Sequence, residues 1–381
     1  MSRLDYETIV VGGGQAGLAA GYFLARAGLD FTILDAHEEI GAAWDRRWDS
    51  LRLFTPARYN ALPGLKFPGE PYALPGKAEV AAYLRRYART FSLPVQSGVA
   101  VRTLHRHSGR FAAATSDGRT LTAASVIVAT GANQRPHIPA FAASVSPAIV
   151  QMHSSEYREP AQLPEGKVLV VGAGNSGAQI ALELAGAGRS VLLSGRDTGS
   201  LPRRLLGRDI YDWLWPTLMR PTVDSSLGRR LMHGRLFAGD PLIGMAPRAL
   251  ERPGLQRVGR ALSAQDGFPL LEGHGPARDI RAIVWCTGFR PDYGWIELPA
   301  LGLDGRPLHR RGIATGIPGL GFVGMRFQYR MGSALLGGVG EDAEHVAGEI
   351  AGYVRADQPV LRTNASSGAK SRASAARSAA R

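Results

Sequence analysis

The chain has 381 residues, more than the roughly 100–200 of one typical domain, so two domains are expected. Apolar residues make up 45% and charged residues 20%, a balance that supplies a core and excludes a wholly disordered chain. Basic residues outnumber acidic ones 45 to 32, and the net charge of +13 raises a nucleic-acid or membrane-surface reading that depends on where the charge sits.

It sits in two parcels. Residues 361–381 carry Arg362, Lys370, Arg372, Arg377 and Arg381 and no acid, and residues 201–260 hold eleven arginines against five acids. The rest is close to neutral, and no basic–aromatic module or DNA-reading motif accompanies either parcel, so no nucleic-acid partner is expected. All but four of the 45 bases are arginine, which the coding bias of a GC-rich genome explains, but such a bias does not explain the clustering. The single cysteine, Cys286, excludes a disulfide framework, a CxxC redox pair and a Cys-rich metal site. Asp5 and Glu7 precede the first apolar run and no small-residue cleavage site follows it, so a cytoplasmic protein without a secretory leader is expected. The charge-free stretch 8–25 carries five glycines in a strand–turn–helix grammar and is not read as a membrane span.

In chain order, residues 7–11 form an apolar, β-branched strand that runs straight into Gly12-Gly13-Gly14-Gln15-Ala16-Gly17. An alanine-rich helix to about Ala27 is closed by Gly28, and residues 31–34 form a second strand ending at Asp35. Pro-rich loops follow at 56–75 and 136–164, separated by an apolar strand at 126–129 that ends in Ala129-Thr130-Gly131. The strand–glycine–helix–strand grammar then recurs: strand 167–171, Gly172-Ala173-Gly174-Asn175-Ser176-Gly177, a helix to about Ala187, and strand 190–193. Residues 199–277, rich in Arg, Pro and Trp, read as irregular helices and loops. Strand 283–285 ends in Cys286-Thr287-Gly288, an echo of Ala129-Thr130-Gly131. Beyond Arg362 the Ser/Ala/Arg composition cannot bury apolar area, so 361–381 is expected to be a disordered basic tail.

A lone GxGxxG is a weak signal. Here the first follows a strand, opens a helix and is answered by an acid at the tip of the next strand, 23 residues after Gly12. The glycines allow a tight turn and let a pyrophosphate approach the helix N-terminus, where amides and dipole favour negative charge. Asp35 is placed to accept a hydrogen bond from a ribose 2′-hydroxyl. The second fingerprint has no acid there but Ser194-Gly195-Arg196, and a hydroxyl with a guanidinium suits the 2′-phosphate of NADPH where a carboxylate would repel it. Arg203 and Arg204 are candidate helpers.

The two fingerprints, Ala129-Thr130-Gly131-Ala132-Asn133 and Cys286-Thr287-Gly288-Phe289-Arg290-Pro291-Asp292 resemble the flavin-containing monooxygenase superfamily, and its bacterial, YUCCA-like members in particular. Gly41-Ala42-Ala43-Trp44, the stretch from Arg47 to Pro56, Pro318 to Gly324 and Ser333 to Gly338 add to the likeness, which covers residues 5–352. The resemblance implies an α/β fold with two Rossmann-like dinucleotide-binding domains (the FAD/NAD(P)-binding fold). An FAD domain of residues 1–160 and 281–360 is split by an inserted NADPH domain, 161–280.

By the same likeness FAD lies against Gly12, Gly14, Gln15, Ala16, Gly17, Asp35, Trp44, Thr55, Val101, Ala129, Thr130, Gly131 and Gly324, with Gln328 and Met331 near the ring. NADPH lies against Gly172, Gly174, Asn175, Ser176, Gly177, Ser194, Arg196, Cys286, Thr287 and Gly288. The implied route passes hydride from NADPH to FAD, forms a flavin C4a-(hydro)peroxide with dioxygen, and oxygenates a small organic molecule at nitrogen, sulfur or a carbonyl. The protein then positions, shields and controls protons, which agrees with the lack of a Ser/His/Asp set, carboxylate pair or metal cluster.

The superfamily motif FxGxxxHxxx(Y/W/F) is half present: His153 and Tyr157 fit, but Pro147 and Ile149 stand where Phe and Gly are expected. Thr55 aligns where many members carry an asparagine beside the flavin, with Asn60 nearby. Thr55 and His153 are the candidate catalytic residues. Tyr211, Trp213 and Trp215 read as packing between domains before they read as a substrate entrance. Two alternatives stay open: an NADPH-dependent flavin reductase or oxidase without oxygenation, and a regulatory flavoprotein that binds both cofactors. A homodimer is the assembly left open.

Overall fold

A computed structural model describes residues 4–233, 241–245 and 247–357. The expected basic tail lies outside the described residues.

Residues 6–11 begin the chain as strand Tyr6–Val11, whose last four residues are fully covered because it lies in the middle of a sheet. Its parallel neighbours are Phe31–Leu34 on one side and Thr120–Val128 on the other. Beyond these the sheet extends through Val95–Gln96 at one end and Leu320–Phe322, Ile313–Ala314 and His309–Arg310 at the other. Helices Gln15–Arg26, Lys77–Thr90 and Gly340–Asp357 bury one face around Leu18, Leu24, Tyr83, Tyr87 and Ile350. The antiparallel hairpin Val101–His107 and Arg110–Thr115 continues from Thr120–Val128, and the opposite face is built on Phe111, Leu121 and Phe322.

A second sheet is wholly parallel, in the order Leu255–Val258, Val191–Ser194, Lys167–Val171, Ile280–Trp285, Val150–His153. It is interposed in sequence between Thr120–Val128 and Leu320–Phe322, which pair directly in the first sheet. It reaches outward further than the expected 161–280, because Val150–His153 joins as an edge strand and Ile280–Trp285 as an inner one. The stretch 136–164, expected to be a Pro-rich loop, therefore contains a strand. Two crossings between the sheets run side by side: Arg135–Pro136 pairs antiparallel with Phe289–Arg290, and Arg135 bridges Asp292 at 2.6 Å.

The two sheets repeat one local geometry. Gly12 N–H donates to Leu34 O at 2.7 Å and Ala129 N–H to Val11 O at 2.7 Å; Gly172 to Ser194 O and Cys286 to Val171 O repeat both bonds at 2.7 Å. At φ +110° and +111°, Gly12 and Gly172 hold a backbone conformation that a side chain would strain, and a Cβ would meet the carbonyl oxygens of Ala129 (2.6 Å) and Cys286 (2.2 Å). A Cβ on Gly17 would come within 1.8 Å of Gly12 O, and one on Gly177 within 1.8 Å of Gly172 O. Each helix thus starts hard against the strand it follows.

Residues 199–219 leave the second sheet and dock on the first domain. Helix Ile210–Thr217 is capped by Asp209, whose carboxylate accepts the Tyr211 N–H at 2.9 Å. Tyr211, Leu214 and Met219 pack with Phe54, Tyr59, Met331 and Leu335. Arg203 donates to Phe54 O at 2.6 Å, and the Tyr59 hydroxyl donates to Asp212 at 2.5 Å. Among the described residues no helix is long and apolar enough to cross a membrane.

Gly17→Ala should destabilise the protein by on the order of 3 kcal/mol, since the obstruction is backbone and has little room to yield. Gly348→Ala, at an exposed helical position with nothing within 4 Å of the added Cβ, should stabilise it by about 1 kcal/mol. Thermal denaturation of the two variants checks both signs.

Candidate active site

Both glycine fingerprints open into one continuous cleft of about 1420 Å³ between the sheets. Its walls include Gly12, Gly14, Gln15, Ala16, Asp35, Trp44, Thr55, Val101, Ala129, Thr130, Gly131 and Gly324 on the first side. Gly174, Asn175, Ser176, Gly177, Cys286 and Gly288 line the second. Gly17, Gly172, Ser194, Arg196, Thr287 and Gln328 stand outside that lining; Gly17 and Gly172 serve it from behind, through the close contacts above.

The residues fit a dinucleotide at each loop. Gly14 and Gly174 are extended N-caps (ψ −172° and −176°) without a side-chain cap, so the first amides of both helices keep no side-chain partner. A Cβ on either glycine would meet nothing within 4 Å, which leaves open space where a pyrophosphate would approach. Thr198 Oγ1 is buried, has no partner among the described residues and belongs to a cleft-lining residue just past strand Val191–Ser194, a polar atom suited to a ligand.

At the tips of the second strands the copies diverge. Asp35 is buried, and its Oδ2 accepts the Gly13 N–H at 2.6 Å while Oδ1 accepts the His37 N–H at 2.7 Å. Burial alone would raise its pKa, but hydrogen bonds from the His37 ring and backbone, the His37 charge and Gly13 together lower it, so the carboxylate is ionised at neutral pH. Gly13 has no room for a Cβ, which would fall 2.5 Å from Asp35 Oδ2. In the second copy the backbone register makes Gly195 the counterpart of Asp35, and the methyl of Ala173 occupies the space: a Cβ on Gly195 would lie 2.8 Å from Ala173 Cβ. Carboxylate and glycine in one copy become glycine and methyl in the other.

Several predicted ligands have other duties. Ser194 is fully buried and its hydroxyl donates to Gly259 O at 2.8 Å, so it is not free for a phosphate. Arg196 is exposed. Asn175 braces the loop opposite, donating to Pro241 O at 3.1 Å and accepting from Ile243 N–H at 3.1 Å. Thr287 donates its hydroxyl to His137 O. Arg203 bridges Asp209 at 2.7 Å, which commits it to the docked segment. Burial pushes the Cys286 thiol up to about 12, so it stays protonated at neutral pH. Among the described residues no group of three or more His, Cys, Asp or Glu could hold a metal ion.

The two candidate catalytic residues separate. Thr55 is 4% exposed and lines the cleft; its hydroxyl donates to Asn60 Oδ1 at 2.7 Å. Asn60 also lines the cleft, and its amide donates to Thr55 O and Pro56 O, both at 3.0 Å. The threonine and asparagine, five positions apart, thus form one rigid polar corner. His153 is 1% exposed and outside the cleft lining. Its Nε2 lies 3.0 Å from Gly288 O and its Nδ1 2.9 Å from Ser155 Oγ, with Ser155 N–H donating to Nδ1 at 3.2 Å. A neutral ring with its proton on Nε2 satisfies all three contacts. The ring packs edge-on against Phe289 at 4.9 Å, which makes His153 a brace for the Gly288–Phe289 turn.

Burial lowers the His153 pKa below its ordinary 6.5, so the folded state prefers the neutral ring. The stability from that preference is present above pH 6.5 and is lost as pH falls from there through the folded pKa. His153→Asn should lose about 1–3 kcal/mol at pH 7.5 and show a shallower loss of stability between about pH 6.5 and 5 than the parent, read by denaturant titration at several pH values.

The profile of the family described as pyridine nucleotide-disulphide oxidoreductase matches residues 9–219. A Geobacillus kaustophilus protein named uncharacterized oxidoreductase CzcO-like is 40% identical over 347 residues, 90% of this chain and 98% of the relative. Indole-3-pyruvate monooxygenase YUCCA1 of Oryza sativa subsp. japonica is 35% identical over 207 residues, 53% of this chain and 51% of that protein. The solved flavin-containing monooxygenase from Stenotrophomonas maltophilia superposes with a TM-score of 0.74 at 30% identity, covering 91% of this chain and 98% of that one. The chain belongs to the pyridine nucleotide-disulphide oxidoreductase family and to the flavin-containing monooxygenase superfamily: it is a flavin-dependent oxidoreductase.

Proposed function

We propose that the protein is an NADPH-consuming, FAD-dependent monooxygenase that inserts one oxygen atom of dioxygen into a small organic substrate at nitrogen, sulfur or a carbonyl carbon. The observation that carries this reading is the single cleft into which both uncapped helix N-termini open. When bound, FAD supplies the redox and oxygen chemistry. The flavin would be held by Gly12 to Gly17, Asp35 and the segments 129–131 and 324, in the domain built on the first sheet. The nicotinamide cofactor would be held by Gly174 to Gly177 in the domain built on the second sheet, which takes in Val150–His153 and Ile280–Trp285.

The chain's own residues then bind, orient and exclude water. Asp35, ionised and fixed by Gly13, accepts a ribose hydroxyl with whatever lone-pair capacity its two backbone donors leave. Thr55 and Asn60 satisfy each other, so neither is poised to move a proton; together they present a fixed polar edge to the bound ring. Segment 199–219, clamped by Arg203 on Phe54 and by Tyr59 on Asp212, covers this end of the cleft and limits water access. Preference for NADPH over NADH is supported by the replacement of the acid with Gly195 and by exposed Arg196 beside it.

Arg196→Ala should weaken NADPH binding about tenfold or more and leave NADH binding nearly unchanged, because only NADPH carries the 2′-phosphate. Equal loss for both would remove the assignment. The oxygenation itself is tested with ¹⁸O₂ and an aryl methyl sulfide. Label in the sulfoxide at a yield tracking NADPH use is expected, and peroxide release equal to NADPH use with no sulfoxide would point to an oxidase.

A further inference from the structure

Arg47 lines the cleft, and among the described residues it has no carboxylate within ion-pair reach. Its backbone is fixed, since Arg47 N–H donates to Trp44 O at 2.9 Å and Lys77 donates to Arg47 O at 2.8 Å. Its guanidinium lies 5.1 Å from the centre of the Phe289 ring, which His153 supports from the side. The neighbouring acids are taken: Asp45 by Arg85 at 2.8 Å and Asp49 by Lys77 at 2.5 Å. The nearby charge that acts on Arg47 is another cation, Arg158, which also lines the cleft, and desolvation and this repulsion both disfavour the charged form. Glu156 is in the same wall, but its carboxylate accepts the His153 N–H at 2.8 Å. The next residue, Trp48, is 4% exposed and lines the cleft too, and its indole N–H has no acceptor. A half-buried cation without a counter-ion, next to a buried donor without an acceptor, is the composition of an anion site.

The cofactors do not account for that anion. Each pyrophosphate has its own helix N-terminus. The extra phosphate of NADPH belongs at the tip of Val191–Ser194, on one side of Lys167–Val171. Arg47 stands over Phe289, just past Ile280–Trp285, on the other side, where the nicotinamide riboside end of the dinucleotide carries no phosphate beyond the shared pyrophosphate. We propose that Arg47, with Trp48, forms an anchor for the carboxylate of an organic-acid substrate. This rests on the monooxygenase reading only in calling the bound acid a substrate.

The test uses the purified flavoprotein and two probes that differ in charge, 4-(methylthio)benzoate and 4-(methylthio)benzamide. Binding is read from the change in flavin absorbance, without turnover. The acid should bind the parent at least tenfold more tightly than the amide. Arg47→Ala should abolish that preference, Arg47→Lys should retain part of it, and Trp48→Phe should reduce it severalfold, with flavin content and NADP⁺ affinity of Arg47→Ala matching the parent. Equal affinity for acid and amide in the parent, including no measurable binding of either, would overturn the proposal. So would an Arg47→Ala variant that loses NADP⁺ affinity and keeps the acid preference, because Arg47 would then serve the dinucleotide. If the preference is seen but no sulfoxide forms, the anion anchor stands and the oxygenation reading falls.

Discussion

The contact on which both halves of the molecule depend is the one between a helix and the loop that precedes it. Gly17 and Gly177 sit so close to the carbonyls of Gly12 and Gly172 that no side chain fits, and those glycines in turn pass against Ala129 and Cys286. This clearance sets the first amides of each helix at the mouth of the cleft, aligned with the strand ends on either side. Because the cleft is walled by both copies, a shift of one helix by a side chain's width would move one phosphate site relative to the other. Hydride transfer between two bound cofactors tolerates little such error.

What distinguishes the copies is one exchange of volume. In the first, a carboxylate occupies the tip of the second strand and the loop yields by being Gly13; in the second, Ala173 fills that space and the strand tip yields by being Gly195. The same backbone therefore offers a negative group in one copy and an apolar methyl beside an exposed arginine in the other. Under the proposed function, that difference in charge would sort two similar ligands between two similar loops. Segment 199–219 belongs by sequence to the second copy but packs on Phe54, Tyr59 and Met331 of the first, so it helps to close the cleft they share.

The phosphate loops and Asp35 were legible in the sequence because their signals are local: a strand, a turn and a helix within about thirty residues. Ser194 and His153 were less so, since their partners Gly259 and Gly288 lie 65 and 135 residues away and only the fold shows those hydrogen bonds. Ser194, at the strand tip where the first copy has its acid, and His153, in the half-matched superfamily motif, are both held in the protein's own framework. Thr55 and Asn60 were noted as neighbours, but that they bond to each other depends on the turn at Ala57–Tyr59. The isolation of Arg47 had no sequence signal at all: two acids flank it within two positions, and only the fold gives them to Lys77 and Arg85. The edge strand Val150–His153 was hidden in a Pro-rich stretch read as a loop.

The claim on which the rest stands is that two dinucleotides share this cleft and exchange a hydride there. Anaerobic mixing of the purified protein with one equivalent of NADPH, followed by flavin absorbance, addresses it directly. Bound flavin in near-stoichiometric amount is expected, with its full bleaching by that single equivalent and much slower bleaching by NADH at the same concentration. Protein that carries no flavin, or flavin that bleaches with dithionite but not with NADPH, would contradict that claim.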